Sequence, residues 1–264
     1  MIGEHIVRVD SWSGLMDELY HGSWNAKIQR HRSNFAFRGI SCSEHIPDTS
    51  LRRMGGPYWD LEYHLMRNFR KYARMERSDK FSIWNWFVIA QHHGLPTRLL
   101  DWTFSPMVAL HFATCEIEEY DCDGAVLMVD YVKFHEKLPA VLKEELEKEG
   151  ANGFTVEMLS NVAGSMKEFD SISDEDFVVF FDPPSMDYRL VNQYSLHSVM
   201  SNSRARLMDL LERNKDFWRK VVIPSDLKWE VRDKLDQANI NERVLFPGLD
   251  GLSAWLARHY SPRS

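Results

Sequence analysis

The sequence has few cysteines and no long apolar run. Its three cysteines, Cys42, Cys115 and Cys122, include no CxxC pair, so their spacing indicates neither a disulfide-stapled secreted domain nor a thiolate zinc site. No apolar segment approaches the roughly 20 residues that span a bilayer, and residues 1–10 lack the apolar core of a signal peptide. We therefore expect a protein of the reducing cytoplasm that has no membrane partner.

Several catalytic motifs with fixed spacing are also missing. The chain has no HExxH, no glycine-rich phosphate loop and no GxSxG, which excludes the metalloproteases, P-loop NTPases and α/β-hydrolases that depend on them. His111 and Cys115 are spaced i, i+4 on a predicted helix, but Val108 and Phe112 mark a buried face beside them. This favours a hydrogen-bonded core histidine, and we expect no metal.

An excess of positive charge is absent as well. The 32 basic and 39 acidic residues give a net charge of −7, which argues against a protein that binds nucleic acid mainly by neutralising phosphates. Hydrophobic residues make up 44% of the 264 positions, enough for a sizeable core. No repeat, low-complexity tract or long linker divides the chain, so we predict a single domain over residues 1–264.

The hydrophobic pattern mixes helices and strands without regular alternation. Helical periodicity and capping signals predict helices at residues 13–20, 61–75, 82–92, 105–115, 133–150, 203–213, 226–238 and 249–259. Runs of β-forming residues predict strands at residues 34–39, 97–103, 124–131, 176–181 and 219–223, and residues 189–200 are expected to be extended in part. We predict an α+β fold with a central mixed or antiparallel sheet flanked by helices.

Two of the predicted strands carry polar side chains at defined positions. In the strand at 34–39, Phe35 and Phe37 share one face, so burial of that face would send Arg38 outward or into a cleft. Residues 91–102, QHHGLPTRLLDW, place two imidazoles, a guanidinium and a carboxylate in one turn and one strand. Alternation puts Arg98 and Asp101 on opposite faces, so they form either part of one site on a twisted strand or an ion pair that pins helix to strand.

These motifs resemble the FRG domain family, which is named for a Phe-Arg-Gly sequence. The motifs that carry the resemblance are FRG at 37–39, SLR at 50–52, QHHGLPTRLLDWT at 91–103, SP at 105–106, ALHFA at 109–113, YRLVNQ at 188–193, VVIP at 221–224 and LFPGLDGL at 245–252. The main FRG motifs run from about residue 30 to 200, and the last two lie nearer the C-terminus. We expect a C-terminal strand and helices, residues 203–260, to pack on the same domain.

The layout is also similar, more distantly, to the ADP-ribosyltransferase fold. In that fold an Arg on an early strand helps to hold NAD, a Ser or Thr follows on a middle strand, and a late Glu assists the departure of nicotinamide. The resemblance implies an NAD-dependent transferase or NAD glycohydrolase, with a protein or nucleic-acid acceptor left open. Because FRG domains are often found in bacterial and phage proteins, it also suggests a toxin or phage-defence effector.

One position departs from the transferase pattern. In Gln193-Tyr194-Ser195, Ser195 occupies the place where the catalytic Glu is expected. The alternative interpretation is therefore a non-catalytic module that binds a nucleotide, nucleic acid or protein through the same cleft.

The resemblance assigns candidate roles to eight residues. Arg38, His93 as a base and Asp101 as the electrostatic partner are the predicted catalytic residues. The predicted NAD-binding residues are Arg38, Arg98 and Arg189 on phosphates, Thr97 and Gln193 on ribose, and Trp102 as an aromatic surface. We predict that these side chains meet in one cleft.

Overall fold

The computed structural model describes residues 5–73 and 80–262. Its strands are β1 Ile6–Arg8, β2 Trp24–Asn25, β3 Arg30–His31, β4 Phe35–Ile40, β5 Leu99–Thr103, β6 Gly124–Asp130, β7 Phe154–Thr155, β8 Val178–Asp182, β9 Ser195–Met200 and β10 Trp218–Ile223. Its α-helices are α1 Trp12–Leu19, α2 Ser50–Arg53, α3 Tyr58–Tyr72, α4 Ile83–His92, α5 Pro106–Thr114, α6 Tyr131–His135, α7 Ala140–Glu149, α8 Val156–Val162, α9 Met166–Asp170, α10 Tyr188–Asn192, α11 Leu207–Arg213, α12 Lys228–Gln237, α13 Glu242–Leu245 and α14 Leu249–His259. Residues 74 and 75, which the sequence assigns to a helix, lie outside the described residues. In the part of the chain that is described, no helix combines the length and apolarity needed to cross a membrane.

One mixed sheet takes its strands in the order β1-β10-β6-β4-β5-β9-β8-β7. The β1–β10 and β7–β8 pairs are parallel and the other neighbours are antiparallel. The first and last strands along the chain therefore lie side by side at one edge. The prediction of a mixed sheet flanked by helices is confirmed.

Helices cover both faces of this sheet and leave a gap at its centre. On one face, α1, α5 and α12 pack on Phe37 and Val126, while α4, α7 and α8 pack further along on Leu99 and Val199. The opposite face is covered by α6 and α11. On the first face, α4 and α5 thus flank the middle of the sheet, where β4, β5 and β9 are adjacent.

Local capping explains why α4 and α5 begin where they do. The Ser82 side chain accepts a hydrogen bond from the backbone N–H of Asn85, and the Asn85 side chain accepts one from the backbone N–H of Ser82, which completes a capping box. The Ser105 side chain caps α5 by accepting from the Val108 N–H, with Pro106 at the first helical position. Both helices match the predicted segments closely because their start signals are local.

The close packing of α5 on β4 requires glycine at position 39. A Cβ atom built on Gly39 would overlap the carbonyl oxygen of Ala109 and crowd the backbone nitrogen of Ala113. The helix can therefore lie directly on the strand only if residue 39 has no side chain. This is a physical reason for the third residue of the Phe-Arg-Gly motif.

The predicted helix at 133–150 is wrong as a single element. The chain forms α6 and then α7, with Pro139 at the N-cap of α7 in an extended conformation (ψ 150°). Proline has no N–H to donate and restricts the preceding residue, so the helix ends before it. The short elements β1, β7, α8 and α9 were not predicted either.

A disulfide joins Cys42 to Cys122, with the two Cα atoms 5.3 Å apart. The sequence did not indicate it, because the partners are separated by 80 residues and are brought together only by the fold. Nearby, the Lys228 ammonium donates to the carbonyl oxygens of Ser41 and Glu119. The segment after β4 is therefore fixed both covalently and by a buried cation.

Candidate functional site

A cleft of about 360 Å³ opens at the centre of the sheet, between α4 and α5. Its floor comes from β4, β5 and β9, and its walls come from α4, α5, α10 and the segment after β4. The polar side chains of the central strands and of α4 and α10 that line it belong to Arg38, Gln91, His92, Asp101, Thr103, Arg189, Gln193, Ser195 and His197. Of the eight residues that were predicted to meet, Arg38, Asp101, Trp102, Arg189 and Gln193 line this cleft, whereas His93, Thr97 and Arg98 do not.

Arg38 bridges the point where β4 and β5 separate. The two strands pair at Phe37 and Thr103. One residue further on, the Arg38 guanidinium donates from Nη1 to the carbonyl oxygen of Asp101 at 2.5 Å. Burial lowers the pKa of Arg38, while the nearby Asp101 carboxylate opposes that effect. The cation therefore also positions the backbone of β5.

Each oxygen of the Asp101 carboxylate has a polar neighbour. Gln91 Nε2 donates to Oδ2 at 2.9 Å, and His197 Nδ1 lies 3.2 Å from Oδ1. Desolvation by the surrounding protein would raise the pKa of Asp101, but His197, the charge of Arg38 and the Gln91 amide together lower it to about 2. Because 60% of its side chain is accessible from the cleft, Asp101 presents a negative charge there at neutral pH.

Arg189 and Gln193 reach the cleft from α10. The Arg189 guanidinium lies 4.8 Å from the centroid of the Phe246 ring, and Gln193 Nε2 donates to the Leu245 carbonyl at 3.0 Å. At the other end of α10, His92 Nε2 lies 2.8 Å from a carboxylate oxygen of Asp187. Among the residues that the structure describes, no carboxylate lies within ion-pair distance of Arg189. This guanidinium is therefore available to an anionic ligand.

The predicted role of Arg98 in binding phosphate is wrong. Its side chain is 2% exposed and pairs with the buried Glu62 of α3 and with Asp170 of α9. Burial would lower the pKa of Arg98, but these two carboxylates outweigh it and raise the pKa. Arg98 therefore joins β5 to two helices. The sequence had left an ion pair with Asp101 as the alternative, and the structure shows an ion pair with Glu62 and Asp170 instead.

Thr97, Trp102 and His93 do not meet the cleft in the way that was predicted. Thr97 is fully buried, and its hydroxyl donates to Gln91 Oε1 at 2.5 Å. Trp102 lines the cleft, but it is 3% exposed and donates from Nε1 to Ser198 Oγ at 2.8 Å, so most of its ring lies in the core. His93 follows the end of α4, is exposed and does not line the cleft. The adjacent His92 lines it instead.

His197 is one of several cleft residues that the sequence analysis did not name as a candidate. It lies directly opposite Asp101 in the β5–β9 ladder and is 3% exposed. The sequence described residues 189–200 only as partly extended, and strand register cannot be read from one strand alone. The signal available in the sequence was strand alternation: Leu196 and Ser198 share one face of the strand, so His197 lies on the other. Ser195 pairs with Thr103 at the edge of the cleft.

His111 is a buried hydrogen-bonded histidine, as the sequence favoured. It is fully buried, and its Nδ1 lies 2.9 Å from Nη1 of Arg232. Burial, followed by the charge of Arg232, lowers the pKa of His111 to about 3. Within the described residues, no group of three or more His, Cys, Asp or Glu side chains is arranged to hold a metal ion.

Comparison with known proteins identifies one family. The family model for the FRG domain matches residues 33–122, so the recognition of an FRG domain in this chain is confirmed. No curated protein and no solved structure matches the chain. The matched span includes Arg38, Gln91 and Asp101, whereas Arg189, Gln193 and His197 lie beyond it.

Proposed function

We propose that the cleft binds a nucleotide such as NAD and that the protein is an ADP-ribosyltransferase-like enzyme, either a transferase or an NAD glycohydrolase. The observation that carries the proposal is Asp101, an ionised carboxylate with Gln91 and His197 at its two oxygens, in the cleft that the cations Arg38 and Arg189 also line. Cations suit a pyrophosphate, and a fixed anion suits a ribosyl group that becomes positively charged.

The strand order supports the distant resemblance to the transferase fold. That resemblance expects an early strand with Arg, a middle strand, and a late strand that follows a Gln-x-Glu type motif. Here β4 with Arg38, β5 with Asp101 and β9 with Ser195 are neighbours in this order. An ADP-ribosyltransferase-like fold is therefore part of the proposal.

The phosphates of the nucleotide are assigned to Arg189 and Arg38. The Arg189 guanidinium is stacked on the Phe246 ring at the cleft, while Arg38 is hydrogen-bonded to the β5 backbone. Arg53 also lines the cleft, is exposed and donates to the Asp48 carbonyl, so it adds a third cation at the rim. Bidentate contacts between guanidinium groups and phosphate give both affinity and orientation.

In the proposed reaction the bond between ribose C1′ and the nicotinamide nitrogen breaks, and nicotinamide leaves with the electron pair. Positive charge then develops on the ribosyl group, where the Asp101 carboxylate stabilises it without being consumed. A water molecule, or a nucleophile on a protein or nucleic acid, bonds to C1′ and releases its proton to solvent. Water gives hydrolysis, and the macromolecular nucleophile gives ADP-ribosyl transfer.

The second candidate function is binding without turnover. Ser195 stands where the late Glu is expected, so the cleft has its carboxylate on the middle strand instead. In this alternative, the same cations recognise a nucleotide, nucleic acid or protein segment and no bond is broken.

The test is consumption of NAD by the purified protein, with nicotinamide release followed by chromatography. We expect Asp101→Asn to lower kcat by about 100-fold or more, because it removes the fixed anion and keeps the shape. Arg189→Ala should mainly raise KM. The matched controls are Asp226→Asn and Arg30→Ala, which change exposed residues outside the cleft and should leave turnover unchanged.

Each outcome separates the two functions. Turnover that is lost in Asp101→Asn but kept in Asp226→Asn supports the enzyme. Binding of NAD that weakens in Arg189→Ala, with no release of nicotinamide even in cell extract, supports the binding module. Equal turnover in Asp101→Asn and wild type would overturn the assigned role of Asp101.

A further inference from the structure

A chain of hydrogen bonds ends at one oxygen of Asp101. The Leu99 N–H donates to Thr97 Oγ1 at 3.1 Å, the Thr97 hydroxyl donates to Gln91 Oε1 at 2.5 Å, and Gln91 Nε2 donates to Asp101 Oδ2 at 2.9 Å. An ionised carboxylate only accepts, so the amide must turn its nitrogen toward Asp101 and its oxygen toward Thr97. The single hydroxyl proton of Thr97 is used in that bond. The direction of the chain is therefore fixed.

The start of this chain is immobilised in the core. The Thr97 side chain is fully buried, and its backbone N–H donates to Ser50 Oγ at 3.0 Å. Ser50 belongs to α2, whose Leu51 N–H donates in turn to the Thr97 carbonyl at 3.1 Å. The hydroxyl that orients Gln91 is thus held by two secondary-structure elements. A residue in such a setting cannot contact a ligand, but it can control a neighbour that does.

His197 lies beside the other oxygen of Asp101. Its ring is 3% exposed and packs against the Phe181 ring, with 5.7 Å between the ring centroids. Nδ1 lies 3.2 Å from Asp101 Oδ1, but among the described residues neither Nδ1 nor Nε2, both buried, has a partner in a hydrogen bond of regular geometry. The imidazole is therefore a close polar neighbour of the carboxylate, and packing orients the ring.

We propose that Thr97, Gln91 and His197 are positioning residues that keep the Asp101 carboxylate ionised and aimed into the cleft. The inference rests on the proposed function, in which that carboxylate stabilises the ribosyl cation. It assigns a role to the buried Thr97 and to the missed His197, neither of which reaches a ligand through its own polar atoms. It also gives Gln91, Thr97 and Asp101 linked roles within the motif at residues 91–102.

Other charged groups also act on Asp101 and must stay unchanged in the test. Arg38 on β4 is the cation whose charge acts on it directly. The remaining charged or titratable side chains of the cleft are His45, Arg53, His92, Cys115, Glu116 and Arg189. The variants below keep all of these side chains. A change in the pKa of Asp101 therefore reports only on its contacts with the positioning residues.

The experiment is a titration of Asp101 by carbon NMR of its carboxyl group in the full chain without substrate, with the resonance identified by its loss in Asp101→Asn. We expect the pKa of about 2 to rise in His197→Leu, which removes the imidazole beside Oδ1, and in Gln91→Met, which removes the amide donor to Oδ2. His197→Asn retains a donor near the Nδ1 position, and Thr97→Ser retains the hydroxyl, so the pKa should stay low in both. Gln237→Met, at an exposed position on α12, is the matched control.

Turnover provides an independent readout. We expect His197→Leu and Gln91→Met to lower kcat by about 100-fold with little change in KM, because the carboxylate is misplaced while the phosphate contacts remain. An Asp101 pKa that stays at about 2 in both variants overturns the inference, whatever the turnover. If the Asp101 pKa rises in both variants but the protein never consumes NAD, the positioning role is supported and the proposed reaction is rejected.

Discussion

Replacing Arg98 by Met removes the cation from a buried ion-pair network. The Arg98 and Glu62 side chains are 2% and 4% exposed, and the guanidinium contacts both carboxylate oxygens of Glu62. Methionine fills much of the same space without charge. The variant therefore leaves Glu62 as a buried carboxylate that has lost its partner.

The expected loss of stability follows from the buried, unpaired carboxylate of Glu62. Breaking a buried pair by removing one partner typically costs about 3–5 kcal/mol. Asp170 contributes less, because its side chain is 27% exposed and water can hydrate it. Domains of this kind have free energies of unfolding of about 5–15 kcal/mol, so Arg98→Met should be only marginally folded. Adding Glu62→Leu removes the stranded charge, and we expect it to recover most of the loss.

Urea unfolding, followed by tryptophan fluorescence and circular dichroism, measures these free energies. The matched control is Arg213→Met, whose partner Asp176 is paired at the surface and whose side chain is 59% exposed. An exposed pair is worth about 0–1 kcal/mol, so that variant should resemble wild type. Wild-type stability in Arg98→Met, or a double variant as unstable as the single one, would refute the reasoning.

Two further predictions concern pH and redox state. Phe180 N–H donates to His135 Nε2 and Nδ1 meets the Asn152 carbonyl, which holds the ring neutral, and burial lowers its pKa from 6.5 to about 4. The neutral ring stabilises the fold fully above pH 6.5 and progressively less as the pH falls towards 4, so the free energy of unfolding should fall by about 3 kcal/mol over that window. His135→Gln should flatten this dependence in urea unfolding; an unchanged slope contradicts the assignment. Replacing Cys42 and Cys122 by Ser removes a cross-link across 80 residues, for which chain entropy predicts a loss of about 4 kcal/mol. Reductant should destabilise wild type equally and leave the double variant unchanged, and a wild type that is insensitive to reductant would contradict the pairing.

The parts of the fold that the sequence predicted are those with local causes. Helices α4 and α5 begin at Ser82 and Ser105 because a side-chain cap and a proline act within one turn. The predicted helix at 249–259 coincides with α14. The break at Pro139 was also a local signal, and its neglect explains the wrong helix at 133–150.

The site divides in the same way between local and non-local causes. The motif at 91–102 predicted that Asp101 lies in a cleft and the Phe-Arg-Gly motif predicted the same for Arg38, and both residues line the cleft. Contacts with distant parts of the chain decided which side chains face the cleft. Arg98 pairs with Glu62 of α3, and the β5–β9 register places His197 beside Asp101. Both partners are distant in the chain.

The sequence by itself thus determined the element types, the FRG motifs and the polar content of the site. Only the tertiary structure decided that Arg98 and Thr97 support the site from beneath, that His197 completes it, and that Cys42 meets Cys122. The physical reason is that capping and periodicity act over a few residues, whereas register, burial and ion pairing depend on which distant strands and helices pack together.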